Sequence, residues 1–205
     1  MDTIVAQYTP DAAKLGKPPK VRFLNVAKAE FDPNTIHVKI GGFMPKNEWY
    51  HCEGCIRHEW GHWAHWNYVR KHPGIVADIQ KAGDGDWQNV KSILNGNMGA
   101  VSTWIGSNDT FSQELYGSIY FDPARGTNEK YMANCFSDCI AEMSLAKYGG
   151  GHDAKYFRKG RQLGGWHVYC ESIANVRSML GLLPRAKVAK YFPSLVAIVE
   201  RMGIL

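Results

Sequence analysis

Residues 51 to 66, HCEGCIRHEWGHWAHW, hold four histidines, two cysteines and two glutamates in sixteen positions. Within them His58-Glu59-Trp60-Gly61-His62 is an H-E-x-x-H. Side chains four apart stand one above the other on a helix, so both imidazoles can reach a single tetrahedral ion. Glu59 then sits beside a water on that ion and can take its proton. A chain of this composition meets the pattern by chance about once in a hundred. Gly61 removes a side chain where such a helix packs closely on its neighbour. The chemistry indicated is hydrolysis with Zn²⁺ as cofactor, and Trp60, Trp63 and Trp66 read as core or cleft walls.

A catalytic zinc needs a third protein ligand and an open position for water. The metzincin continuation would place glycine at 65 and histidine at 68; His65 and Tyr68 stand there instead and exclude that class. His51 and His65 lie seven residues either side of His58, which is about 10 Å along a helix and too far for one ion. They read as groups behind the ligands or on the surface. Three carboxylates remain: Asp138, Glu142 and Glu171. Glu171 stands in YCESIANVRSML, where an acid in an otherwise core-like helix is costly unless paired or metal-bound. That favours Glu171 modestly and leaves the other two open.

The elements that must position these groups are legible in part. Residues 1–20 end in LGKPPK and read as a loosely held arm, leaving 21–205 as one domain. VRFLNV and TIHVKI are β-prone runs separated by FDPN, so a pair of strands is expected, TIHVKI offering an edge to an extended peptide. Asn47 would cap a helix running to Lys71, where His72-Pro73-Gly74 stops it. DIQKAGDGDWQNVKSILN reads as a turn followed by helix, and residues 101–126 as loop-rich. Helices follow over NEKYMANCFSDCIAEMSLAKYG, closing on Gly149 to Gly151, over 167–180, and over AKVAKYFPSLVAIVERM with a break at Pro193. The fold class expected is α+β: a zincin-like, helix-rich domain with a small sheet and an active-site helix carrying H-E-x-x-H.

Composition narrows the function further. Net charge is +5 with the cations scattered, which argues against a nucleic-acid partner. No apolar run is long enough for a membrane span and no leader is visible, so a cytoplasmic or virion-associated protein is expected. The five cysteines, an odd number, argue against a full disulfide framework. Cys52 and Cys55 with Cys135 and Cys139 have the spacing of a structural Cys₄ zinc site, but buried core thiols are the favoured reading.

HEWGH, then FSDCIAEMSLAKYGGGHDAKYF, then CESIAN, then KYFPSLVAIVERM, in that order, resemble the zinc-metallopeptidase-like domains of phage minor head, or head-morphogenesis, proteins over roughly residues 35–205. The resemblance implies that Glu171, in the E-x-x-A helix, is the third ligand, and that Asp138 orients a zinc histidine. His152 and Tyr156 match a Gly-His…Tyr segment near the cleft and would supply the oxyanion donor, with His167 behind them. His65 replaces an acid often found three residues after the second histidine, and Tyr156-Phe157 stands where Tyr-Trp is common. The implied activity is a zinc-dependent endopeptidase acting on a peptide or protein substrate, with other phage head proteins as partners, or an effector. The alternative is a non-catalytic, zinc-stabilised structural module of a phage particle. A DNA-repair type of peptidase is a third possibility, disfavoured by the absence of a basic patch.

Overall fold

The computed structural model describes the backbone of residues 20–24, 30–32, 35–39, 49–95, 98 and 129–203, and side chains over 56–95, 98 and 135–203. Apart from Lys20, the expected arm lies outside the described residues, as do Asn47 and the segment 101–128. Three short strands come first: β1 (Lys20–Leu24), β2 (Glu30–Asp32) and β3 (Thr35–Lys39). They form one sheet in the order β1-β3-β2, with β1 parallel and β2 antiparallel to β3. β3 is therefore paired on both sides along Thr35–His37 and offers no edge to a peptide there, which corrects the docking role expected of it.

Helices make up nearly all the rest. They are α1 (Trp49–Lys71), α2 (Ile75–Leu94), α3 (Glu129–Ser144), α4 (Ala154–Leu163), α5 (Cys170–Leu180), α6 (Arg185–Tyr191) and α7 (Pro193–Met202), with a 3-10 turn at Gly165–His167. The α+β expectation is corrected accordingly: the described chain is mostly helical, and from Trp49 onward no described residue is in a strand. Every described residue of the hydrophobic core belongs to these helices or their connections, so the core is helix packed on helix. Among the described residues no helix is long and apolar enough to cross a membrane.

Two helices lie at the centre. α1 is buried on all faces over residues 59–65, and α5 is buried from Cys170 to Met179. They pack against each other, and α3 also packs on α5. The approach of α1 to α5 is set by Gly61: a Cβ there would stand 2.8 Å from the Cα of Ala174. Ala174 lies between Glu171 and Asn175, so this one contact fixes how far the H-E-x-x-H helix stands from the later acid. Arg177 adds a tie by donating from Nη1 to the Arg57 carbonyl at 2.9 Å.

The periphery is pinned by buried acids that serve helix ends. Asp86, fully buried in α2, accepts from the N–H groups of Ser194 and Leu195 at 2.9 and 2.8 Å, satisfying donors in the first turn of α7. Pro193 opens that turn, so the break expected at Pro193 is a boundary between α6 and α7. Glu142 of α3 does the same for α5, accepting from Ser172 N–H at 2.7 Å.

Gly61→Ala tests the central contact. The added methyl meets backbone, which cannot rotate away, so a loss of about 1–3 kcal/mol in urea unfolding is expected. An unchanged unfolding midpoint would show that α1 and α5 do not pack through this position.

Candidate metal centre

The local fold brings His58, His62 and Glu171 together. His58 and His62 share a face of α1, and Glu171 opens α5 across the Gly61 contact. Their ligand atoms form a triangle: His58 Nε2 to His62 Nε2 is 3.0 Å, His58 Nε2 to Glu171 Oε2 is 3.2 Å, and His62 Nε2 to Glu171 Oε2 is 3.4 Å. A tetrahedral zinc with ligand bonds of about 2.0–2.2 Å sets its donor atoms roughly 3.3–3.6 Å apart; one edge lies in that range and the other two are shorter, so the triangle needs to open only slightly to hold one ion. Glu171 Oε2 is buried and, among the described residues, has no hydrogen-bond partner beyond these two close nitrogens. Such an oxygen facing two imidazoles is what a cation would satisfy.

The electrostatics follow from burial. Burial works to raise the Glu171 carboxyl, but the charge and hydrogen bonds of His62 and His58 outweigh it and hold it well below the usual carboxylate range. Burial likewise opposes a charged His58, yet Glu171, followed by Glu59 and Asp138, carries its pKa up to about 9. Glu59 is buried next to the donor triangle in sequence and acts on His58 through its charge. Glu142, enclosed beside α5, has its pKa pushed up to about 8 by burial and then by the Glu171 charge, so of the two acids Glu171 is the one that ionises readily.

A chain of hydrogen bonds orients His58. Its Nδ1 lies 2.9 Å from Asn175 Oδ1, and Asn175 Nδ2 donates to Asp138 Oδ2 at 2.9 Å. A carboxylate only accepts, so Asp138 fixes which way the Asn175 amide faces. The amide oxygen is thereby aimed at His58 Nδ1, which must carry the proton, and Nε2 is left facing His62 and Glu171. Asp138 thus reaches the histidine through Asn175, a residue that sequence reasoning missed. The available signal was its spacing: Asn175 is four residues after Glu171, on the same face of α5.

The same carboxylate holds the opposite wall. Asp138 Oδ1 accepts from His152 N–H at 3.3 Å and lies 3.4 Å from His152 Nδ1. The Gly151 linkage makes this possible, since its φ is +127° and a Cβ there would fall 2.0 Å from Asp138 Oδ1. The hydrogen bond to Asp138 raises the His152 pKa against partial burial. Its ring stacks on Tyr156 with centroids 4.1 Å apart, and the Tyr156 hydroxyl donates to Glu171 Oε1 at 2.7 Å. Burial, and then the Glu171 charge, push the Tyr156 phenol far up, so it remains a donor.

Asp138, His152 and Glu171 also bring ligand atoms within 4.8 Å of one another. Both Asp138 oxygens are already engaged, however, and Glu171 Oε1 accepts the Tyr156 hydrogen bond, which makes the His58, His62, Glu171 set the better cation site.

Other residues named from sequence fall elsewhere. His65 is fully buried, not on the surface, and neither ring nitrogen has a hydrogen-bond partner among the described residues. Burial, then His62 and His167, lower its pKa to about 3 and keep it neutral. His167 Nδ1 is 3.2 Å from the Gly164 carbonyl, and His167 joins no metal-donor group among the described residues. The side chains of His51, Cys52 and Cys55 lie outside the described residues. Cys135 and Cys139 are buried within the hydrophobic core, and no cysteine enters a donor group among the described residues.

Two measurements test this geometry. Asn175→Leu frees the His58 ring and is expected to weaken zinc binding about 10–100-fold in chelator competition. Zinc bound at these donors would have to displace the proton that His58 holds up to about pH 9. Affinity is therefore expected to climb up to about tenfold per pH unit toward that value, and a flat profile would remove His58 from the donor set. In the metal-free protein the sign reverses: stabilisation by the His58–Glu171 pair is complete below pH 6.5 and is lost as pH rises through about 9. Set against known protein families, curated proteins and solved structures, the chain matches none.

Proposed function

We propose that the protein is a zinc-dependent endopeptidase in which His58, His62 and Glu171 hold the ion and Glu59 is the general base. The observation that carries this reading is the donor triangle of 3.0, 3.2 and 3.4 Å, with a buried acid next in sequence to the first histidine. Zinc bound there would supply Lewis acidity, polarising a peptide carbonyl and lowering the pKa of a water toward neutrality. Glu59 accepts the proton of the attacking water and returns it to the leaving amine. His152 is the oxyanion donor: Asp138 favours its charged form, and its Nε2 has no partner among the described residues. Tyr156 donates a hydrogen bond to Glu171, so it holds that carboxylate in place and reaches a substrate oxygen only by turning away from it. The resemblance to phage head-morphogenesis domains supports a phage or prophage head protein, or an effector, as the setting, with a protein of that assembly as substrate.

Zinc per chain, measured on the parent, Glu171→Ala and Glu59→Gln, tests the proposal together with cleavage of denatured casein. One zinc is expected in the parent and in Glu59→Gln, with loss in Glu171→Ala. Cleavage by Glu59→Gln should fall about 10²–10⁴-fold. Zinc in the parent without any cleavage would leave a zinc-fastened structural module, and no zinc in any variant would sink the metal centre itself.

A further inference from the structure

α4 exposes most of its surface. Of its ten residues only Phe157 is buried, and polar and cationic residues dominate the segment, so its narrow inward face is easily passed over in the sequence. Asp153 starts it, accepting from Tyr156 N–H at 2.7 Å, and Gly164 ends it at φ +63°. Two side chains anchor it: Phe157 in the interior, and Arg161, whose Nη2 donates to the carbonyls of Glu142 and Met143 at 3.2 and 3.3 Å.

The opposite face is unlike an ordinary solvated surface. At about 100° per residue, Lys155, Arg158, Lys159 and Gln162 fall within one stripe roughly 100° wide. Lys155, Arg158 and Lys159 are exposed and have no acidic partner among the described residues, and the helix itself contains no acid. Along the edge of this stripe stand Tyr156 and Leu163, seven residues apart and 44% and 58% exposed, the large hydrophobics left open among the described residues. Tyr156 is also the residue that touches Glu171. One end of an apolar and cationic strip therefore lies at the candidate metal centre.

We infer that α4 is a docking strip for acidic, partly apolar peptide segments, which it leads to the centre through Tyr156. As a statement of substrate class it rests on the peptidase reading above; as a binding surface it stands on α4 alone. Unpaired cations favour carboxylates, and exposed Tyr156 and Leu163 favour the side chains that alternate with them along an extended chain. The helix is about 15 Å long, which spans four or five extended residues. A nucleic acid fits less well, since its affinity is built from many phosphate contacts and this strip has three cations beside an apolar edge.

The test is fluorescence anisotropy with full-length Glu59→Gln protein, which leaves the probes intact. The probes are labelled peptides alternating Glu with Leu, Gln with Leu and Lys with Leu, and a labelled single-stranded DNA. The Glu/Leu peptide is expected to bind about tenfold more tightly than the Gln/Leu peptide at low salt. Replacing Lys155, Arg158 and Lys159 together by Glu should abolish that preference while the melting temperature and zinc content stay at parental values. Equal binding of the Glu/Leu and Gln/Leu peptides, or an acid preference that survives the triple replacement, would overturn the inference. So would tighter binding of the DNA that the same replacement removes. A parent without zinc or cleavage but with the acid preference intact would sink the peptidase and leave the docking strip standing; a zinc-loaded parent that cleaves casein without any acid preference would do the reverse.

Discussion

A carboxylate enclosed between two imidazoles is the constraint on which the arrangement depends. Glu171 is 2% exposed, and an isolated charge at that depth would be driven neutral. His58 and His62 prevent this, and they can do so only because α1 and α5 touch through Gly61 and Ala174. The hydrogen bonds around the site serve the same end. Tyr156 saturates the outward oxygen of Glu171, Asn175 fixes one imidazole, and Asp138 fixes Asn175 and His152 together. Removing any one leaves a buried polar group unsatisfied, so these groups behave as a unit and their effects do not add.

The H-E-x-x-H helix was legible because its chemistry is local. Both histidines are four apart and the stop signal at His72-Pro73-Gly74 is unambiguous, so the end at Lys71 matches. Glu171 could be favoured but not isolated from Asp138 and Glu142, because which of three acids faces the histidines is a matter of helix packing. In the structure the three acids do different things. Glu171 faces the imidazoles, Glu142 serves the start of α5, and Asp138 orients its neighbours. Asn175 is inconspicuous in sequence because an amide carries no charge to make its burial stand out.

Elsewhere local pattern and tertiary structure diverge. DIQKAGDGDWQNVKSILN reads as a turn followed by helix, yet all of it up to Leu94, Gly83 to Asp86 included, lies within α2. Gly83 sits against the Tyr169 ring, Asp84 accepts the Tyr169 hydroxyl at 2.6 Å, and Asp86 serves α7, so each breaker is recruited by a distant element. Propensity loses there to packing that no window of sequence contains. The α+β expectation failed for a related reason. Two β-prone runs were weighed as a structural layer, whereas the described core is assembled by helices beyond them.

His58 and Asn175 are 117 residues apart in sequence, and the donor set is complete only when α1 and α5 have docked. Until then the chain offers a pair of histidines on a single helix and nothing to close the site. Formation of the full set is thus a late, long-range event in folding, of the slow kind that must close a large loop before its contacts reward it. A cation held by all three donors would act as a clasp on the finished structure: it would retard unfolding while leaving the rate of folding nearly untouched.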